Sequence, residues 1–166
     1  IAQKKVIRIF SGHSSSIWTI SFTPDGRNLV SGGKIARIWN TETGEMIGVL
    51  DGHKNRVRAL DISPDGRFVL TGSQDETVIL WEMETRTQIK KFQNHTSGVR
   101  AVKFSPDGQK IATGGEDRRI FLIDLATGGP DIELQLLRPY EGSIFKDSIN
   151  LEKAIKLAIE DLGGII

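Results

Sequence analysis

An all-β fold assembled from repeated four-stranded units follows from three features of this 166-residue chain: landmarks recurring at one shared period, short alternating strands, and turn chemistry at fixed offsets. Gly12-His13, Gly52-His53 and Asn94-His95 recur at spacings of 40 and 42 residues. Pro24-Asp25-Gly26, Pro64-Asp65-Gly66 and Pro106-Asp107-Gly108 recur at the same 40 and 42. Agreement between two independent landmarks marks a repeated supersecondary unit, which buries its apolar faces by stacking on its neighbours.

The first strand of each unit is predicted at Ile17–Phe22, Val57–Ile62 and Val99–Phe104, where β-branched and aromatic residues alternate with others. Each runs into a Pro-Asp-Gly turn, in which Pro presets φ, Asp can accept from its own backbone and Gly tolerates positive φ. A second strand follows, as in Arg67–Thr71, then a Gly-containing turn and a third strand, Thr77–Trp81; a fourth precedes the next Gly-His. Four short antiparallel strands in about 40 residues form a propeller blade. The expected fold is a partial β-propeller of three four-stranded blades with a C-terminal helix. Blades are expected over about 10–50, 51–92 and 93–137, in a domain of residues 1–138 whose last outer strand is Ile132–Leu137. Residues 139–166 form a tail in which Asn150 caps a helix over about 150–162. Leu151, Ile155, Ala158, Ile159 and Leu162 make its apolar stripe and Gly163 ends it.

The composition excludes several chemistries. Lys plus Arg number 22 against 21 Asp plus Glu, so a net charge of +1 exerts no global pull on nucleic acid or anionic membrane, and neither is expected as a partner. With no cysteine there are no disulfides, thiolate nucleophiles or thiolate metal sites. No run of 18 apolar residues occurs, and Ile1-Ala2-Gln3-Lys4-Lys5 has no apolar signal core behind its basic pair. A soluble cytoplasmic protein is expected, with the nucleus left open. The chain starts without Met and stops at Gly163-Gly164-Ile165-Ile166, directly after the helix pattern, so a cut boundary and a larger parent are expected.

Other motifs fail on inspection. Gly32-Gly33-Lys34 resembles the end of a phosphate loop, but position 28 is Asn and position 35 is Ile where that motif needs Gly and Ser or Thr. The three histidines lie at the blade period, which is not a metal-ligand spacing. Asn94-His95-Thr96 fits a glycosylation sequon, but no secretion signal accompanies it and His95 is needed inside.

The succession Gly-His, Ser-Pro-Asp-Gly, Thr71-Gly72-Ser73-Gln74-Asp75, then Trp81 followed by an acidic residue resembles the WD-repeat (WD40) family, over roughly Val6 to Glu133. The resemblance implies that His, Ser or Thr, Asp and Trp form a buried hydrogen-bond chain within each blade. It does not imply a catalytic triad, because these residues recur once per blade. His53, Thr71, Asp75 and Trp81 match the set completely. His95, Thr113 and Asp117 match in the third blade, but Ile123 stands where Trp belongs. In the first, His13, Ser31 and Trp39 match, yet Ser31 to Trp39 spans 8 residues where Thr71 to Trp81 spans 10. That turn has no Asp: either its hairpin is abnormally tight, or two residues between Gly33 and Lys34 are missing from the sequence.

The resemblance further implies that residues just inside the first strand, and those before the turn Asp, line a partner-binding face. Here they are Trp18, Arg58 and Arg100, then Gln74 and Glu116, with Lys54 and Arg56 nearby. Two readings stand: an acidic or phosphorylated protein segment held by Arg58 and Arg100 with Trp18 as apolar anchor, or a rim of ordinary solvated charges. Three blades cannot close a ring, since propellers use about four to eight. Val6–Phe10 reads as the outer strand of a blade whose inner strands are not encoded before it, so either further blades or a second chain must supply them. The expected function is a non-enzymatic protein-interaction scaffold without cofactor or metal, binding a protein or peptide partner. The alternative is a regulatory or sensor propeller attached to an effector enzyme.

Overall fold

The computed structural model describes residues 6–127 and the strand 130–135. The chain divides into two units, Ile1–Leu136 and Leu137–Ile166. The second unit, with the helix expected over 150–162, lies outside the described residues.

Each repeat folds into one antiparallel sheet whose strands lie in chain order. Blade 1 comprises β1 (Thr19–Phe22), β2 (Asn28–Gly32), β3 (Ala36–Asn40) and β4 (Met46–Leu50). Blade 2 comprises β5 (Val57–Ile62), β6 (Phe68–Ser73), β7 (Val78–Glu82) and β8 (Gln88–Phe92). Blade 3 comprises β9 (Val99–Phe104), β10 (Lys110–Gly115), β11 (Arg119–Asp124) and β12 (Pro130–Gln135).

The Pro-Asp-Gly turns are built alike. Thr23, Ser63 and Ser105 each donate a hydroxyl hydrogen bond to the turn Asp, at 2.5, 2.6 and 2.5 Å. The same carboxylates accept from the backbone N–H of Arg27, Arg67 and Gln109, each at 3.0 Å. These bonds, the hydroxyl first, hold all three carboxyls below their ordinary range. The closing glycines adopt φ of 70°, 74° and 72°, the left-handed region that explains their identity.

The core lies between blades as well as within them. Val30, Ala36, Ile38 and Leu50 of blade 1 pack with Val57, Leu60 and Ile62 of blade 2. One period on, Leu70, Val78, Leu80 and Phe92 pack with Val99, Val102 and Phe104 of blade 3. Blade 2 is thus buried on both faces, each side chain contributing about 1.5–3 kcal/mol of transfer free energy. Gly32 and Gly72 allow the close approach: a Cβ on Gly72 would lie 2.7 Å from Val99 Cγ1 and 2.9 Å from Val102 Cγ1. Polar contacts join the blades too, since Asp61 on β5 accepts from Lys103 Nζ at 2.8 Å and from the buried Phe104 N–H at 2.9 Å.

Two expectations are corrected. Val6–Phe10 forms no strand: no sheet among the described residues offers it a ladder. The segment is held instead on blade 1, where Arg8 donates to the Thr43 carbonyl at 2.8 Å and Phe10 meets the Trp39 ring edge-on at 5.9 Å. The first strand begins at Thr19, not Ile17. In blades 2 and 3 the longer β2–β3-type hairpin reaches over, Gln74 N–H bonding the Arg56 carbonyl and Glu116 N–H the Gly98 carbonyl. The short hairpin of blade 1 has no residue to do this.

Blade 1 also presents the apolar face that would receive a preceding blade. Ile20 and Phe22 are 62% and 60% exposed, whereas Leu60 and Ile62 at the same positions of blade 2 are 7% and 8% exposed.

Candidate functional site

The hairpins between the second and third strands, and the loops entering the first strands, gather at one end of the blades, because Thr19 pairs with Gly32, Val57 with Ser73 and Val99 with Gly115. The chains of repeated polar residues run into the blades from that end, toward Trp39 and Trp81 near the other, and the expected partner face lies there.

In blade 2 the polar residues form one continuous chain. Trp81 Nε1–H donates to Thr71 Oγ1 at 2.8 Å, and Thr71 Oγ1 lies 2.8 Å from His53 Nε2. The hydroxyl proton thus goes to Nε2, and the imidazole proton resides on Nδ1, which donates to Asp75 at 3.1 Å. Asp75 also accepts from Thr77 Oγ1–H at 2.6 Å and from Lys54 N–H at 2.6 Å. Burial pushes the Asp75 carboxyl up, but the bonds from Thr77 and Lys54 and the neighbouring His53 outweigh it and hold it at about 2. Burial likewise lowers His53 below 6.5, against the opposing pull of Asp75. Blade 3 repeats the chain, with His95 Nδ1 2.9 Å from Asp117 and Nε2 2.9 Å from Thr113. Ile123 is 1% exposed in the place of the indole, and the edge of Phe121 closes on the His95 ring at 4.9 Å. In blade 1, Trp39 Nε1–H donates to Ser31 Oγ at 2.7 Å, and Ser31 stands 2.7 Å from His13 Nε2. The β2–β3 connection there is Gly33-Lys34-Ile35, closed by a bond from Gly33 N–H to the Ile35 carbonyl at 3.1 Å, so the tight hairpin is what this sequence forms.

In blades 2 and 3 these chains run through to a carboxylate as closed hydrogen-bond networks, whereas in blade 1 the chain ends at His13. Ser31, Thr71 and Thr113 are at most 2% exposed, and Ser31 and Thr71 already accept from an indole, so none is placed as a nucleophile. Among the described residues no cluster of His, Asp and Glu could hold a metal ion.

The expected face residues separate into three groups. Trp18 is 46% exposed, and the Arg58 guanidinium lies 3.8 Å above its ring as a cation–π pair. Arg58 Nε is buried there without a hydrogen-bond partner. Arg100 is instead committed to Glu116: its Nε donates at 2.7 Å and its Nη2 makes a second contact. Glu116 also accepts from Gln74 Nε2 and Ser97 Oγ, each at 3.3 Å, and its carboxyl is held below the ordinary range, first by Arg100. Lys54 and Arg56 stand apart from both groups, on the wall of a cleft of about 660 Å³ shared with His13, Lys34 and Arg37. The sequence drew attention to Lys34 only as the end of Gly32-Gly33-Lys34, which fails as a phosphate loop, and did not single out Arg37; the missing turn Asp in blade 1 was the signal for both.

A family model described as "WD domain, G-beta repeat" matches residues 4–40, 44–82 and 86–124, more than half of the chain. No curated protein sequence matches it. Among solved structures, that described as "Structure of U3-55K" is similar with a TM-score of 0.75 and 23% identity, covering 79% of this chain and 42% of that one. That described as "Crystal structure of RRP9 WD40 repeats" is similar with a TM-score of 0.74 and 24% identity, covering 78% of this chain and 41% of that one. At such identities the likeness is one of fold, and the chain spans about two fifths of the length of either structure.

Proposed function

Because the chain belongs to the WD40 repeat family, we propose that it is a non-enzymatic protein-interaction scaffold whose hairpin-bearing end receives an acidic protein segment. The observation that carries this reading is the Trp18–Arg58 pair. A half-exposed indole carrying a guanidinium combines apolar area with a planar cationic donor set, the composition that dominates binding hot spots. Arg58 is preorganised by the stacking, so little rotamer entropy is lost when a carboxylate engages its free N–H edge. In this reading Arg100 takes a lesser part than Arg58, because it is paired with Glu116. The face is therefore anchored by one arginine, with the Arg100–Glu116 pair as a polar rim.

The second component is association. The exposed Ile20 and Phe22 occupy the positions that bury blade against blade elsewhere in the chain, which supports completion of the ring by further blades or by a second copy.

Fluorescence anisotropy with labelled acidic and neutral peptides tests the face. Acidic peptides are expected to bind, with at least about tenfold weaker binding for Trp18→Ala and Arg58→Ala and little change for Arg100→Ala. Equal binding of neutral peptides, or affinity unchanged in both variants, would overturn the assignment.

A further inference from the structure

The cleft of about 660 Å³ between the β2–β3 hairpin and the loop entering β5 is strongly basic. Lys34, Arg37, Lys54 and Arg56 line it, and Asp51 is the single acidic residue on its wall. His13 lines it as well, in a state set by its own network. Ser31 Oγ accepts the Trp39 indole proton and lies 2.7 Å from His13 Nε2, and in the tautomer that the carboxylates set in blades 2 and 3 the neutral ring carries its proton on Nδ1. In blades 2 and 3 the same Nδ1–H meets a carboxylate, at 3.1 Å from Asp75 and 2.9 Å from Asp117. In blade 1 that position carries no acid: His13 Nδ1 faces Gly33, where a Cβ would lie 2.8 Å away, and it has no acceptor among the described residues. The Arg37 guanidinium on the same wall has no carboxylate partner among the described residues, its Nη1 reaching Met46 Sδ at 3.5 Å while its Nε is buried.

We propose that this cleft is an oxyanion site that takes a phosphate group, with His13 Nδ1–H and Arg37 as donors and Lys34, Lys54 and Arg56 supplying charge. An anion there completes for blade 1 the interaction that Asp75 and Asp117 complete internally. Four cations against one carboxylate favour a dianion over a carboxylate, and guanidinium and ammonium groups together suit the several oxygens of a phosphate. Burial and the Arg37 charge hold His13 below 6.5, so at neutral pH the ring serves as a hydrogen-bond donor and not as a cation. The same chemistry is offered by free pyrophosphate and by a phosphorylated protein segment.

The test follows the three imidazole rings by ¹⁵N-edited NMR at pH 7, titrating the full chain with pyrophosphate and, separately, with a phosphoserine peptide. A saturable shift of His13 with His95, which lies outside the cleft, unmoved is the expected result. A response to pyrophosphate shows that a free phosphate suffices, whereas a response to the peptide alone identifies a phosphorylated segment as the ligand. Lys34→Glu, on an exposed hairpin, is expected to weaken binding at least about tenfold. Inserting Gln-Asp between Gly33 and Lys34, which copies Gln74-Asp75, is expected to abolish it by supplying an internal carboxylate. The site shares Lys54 and Arg56 with the proposed partner face but not Arg58, so Arg58→Ala should lose acidic-peptide binding and keep phosphate binding. A His13 ring unmoved by both ligands, binding that survives both Lys34→Glu and the insertion, or binding lost in Arg58→Ala would each overturn the proposal.

Discussion

At the residue scale, one hydroxyl decides how each blade interior is wired. Thr71 joins an indole donor to an imidazole acceptor, so Thr71→Val strands both Trp81 Nε1–H and His53 Nε2 in a dry interior. Urea denaturation is expected to show a loss of about 1–3 kcal/mol, with Thr113→Val costing less because Ile123 leaves no indole to strand. The buried rings also set a pH dependence. Above pH 6.5 His13 and His53 are neutral in the folded and unfolded states alike. Below it the unfolded chain takes up protons that the folded rings, held under 6.5 chiefly by burial, resist. Stability should therefore fall as pH drops from 6.5 toward the lowered folded values. The Asp75 contribution is intact above 3.8 and lost as pH falls toward about 2. Thermal melts at pH 7 and pH 5 are expected to show a lower midpoint at pH 5, with a smaller drop for His53→Gln, which cannot titrate. Most of this wiring was legible as what the WD-repeat resemblance implies for His, Ser or Thr, Asp and Trp, which recur at fixed offsets. The fate of the face charges was not: the spacing placed Arg58 and Arg100 at equivalent positions, but it could not reveal that Arg58 stacks on Trp18 while Arg100 turns to Glu116.

At the element scale, blade-to-blade contact depends on glycine where neighbouring strands approach. Gly72→Ala drives a methyl into Val99 and Val102 of the next blade and is expected to cost about 1–3 kcal/mol in chemical denaturation. Gly108→Ala, where a Cβ meets only Pro64 Cδ at 3.5 Å, should cost about 1 kcal/mol through its positive φ alone. The Pro-Asp-Gly turns and the strands of blades 2 and 3 were readable from alternation and turn chemistry, since those features are local. Two departures were not local. Val6–Phe10 has strand composition, but a strand needs a ladder, and no sheet among the described residues gives it one. β1 starts late because the shortened hairpin cannot reach back to the loop before it.

At the scale of the whole molecule, stacking of apolar blade faces is the principle that holds the array together, and blade 1 carries such a face uncovered. Ile20 and Phe22 match Leu60 and Ile62 in position and chemistry but not in burial. The repeat count made three blades foreseeable; the residues left bare on blade 1 needed the coordinates, because exposure depends on which neighbour is present. Phe22→Lys places a charge on this face and touches no partner network. Light scattering on a sizing column, for the unmodified chain and for Phe22→Lys, tests the account most directly. The expected result is a mass of two chains that falls to one chain in the variant, with its circular dichroism unchanged. A single-chain mass for the unmodified protein would contradict self-association and leave this face to further blades, and a two-chain mass that Phe22→Lys leaves intact would contradict its use as the contact.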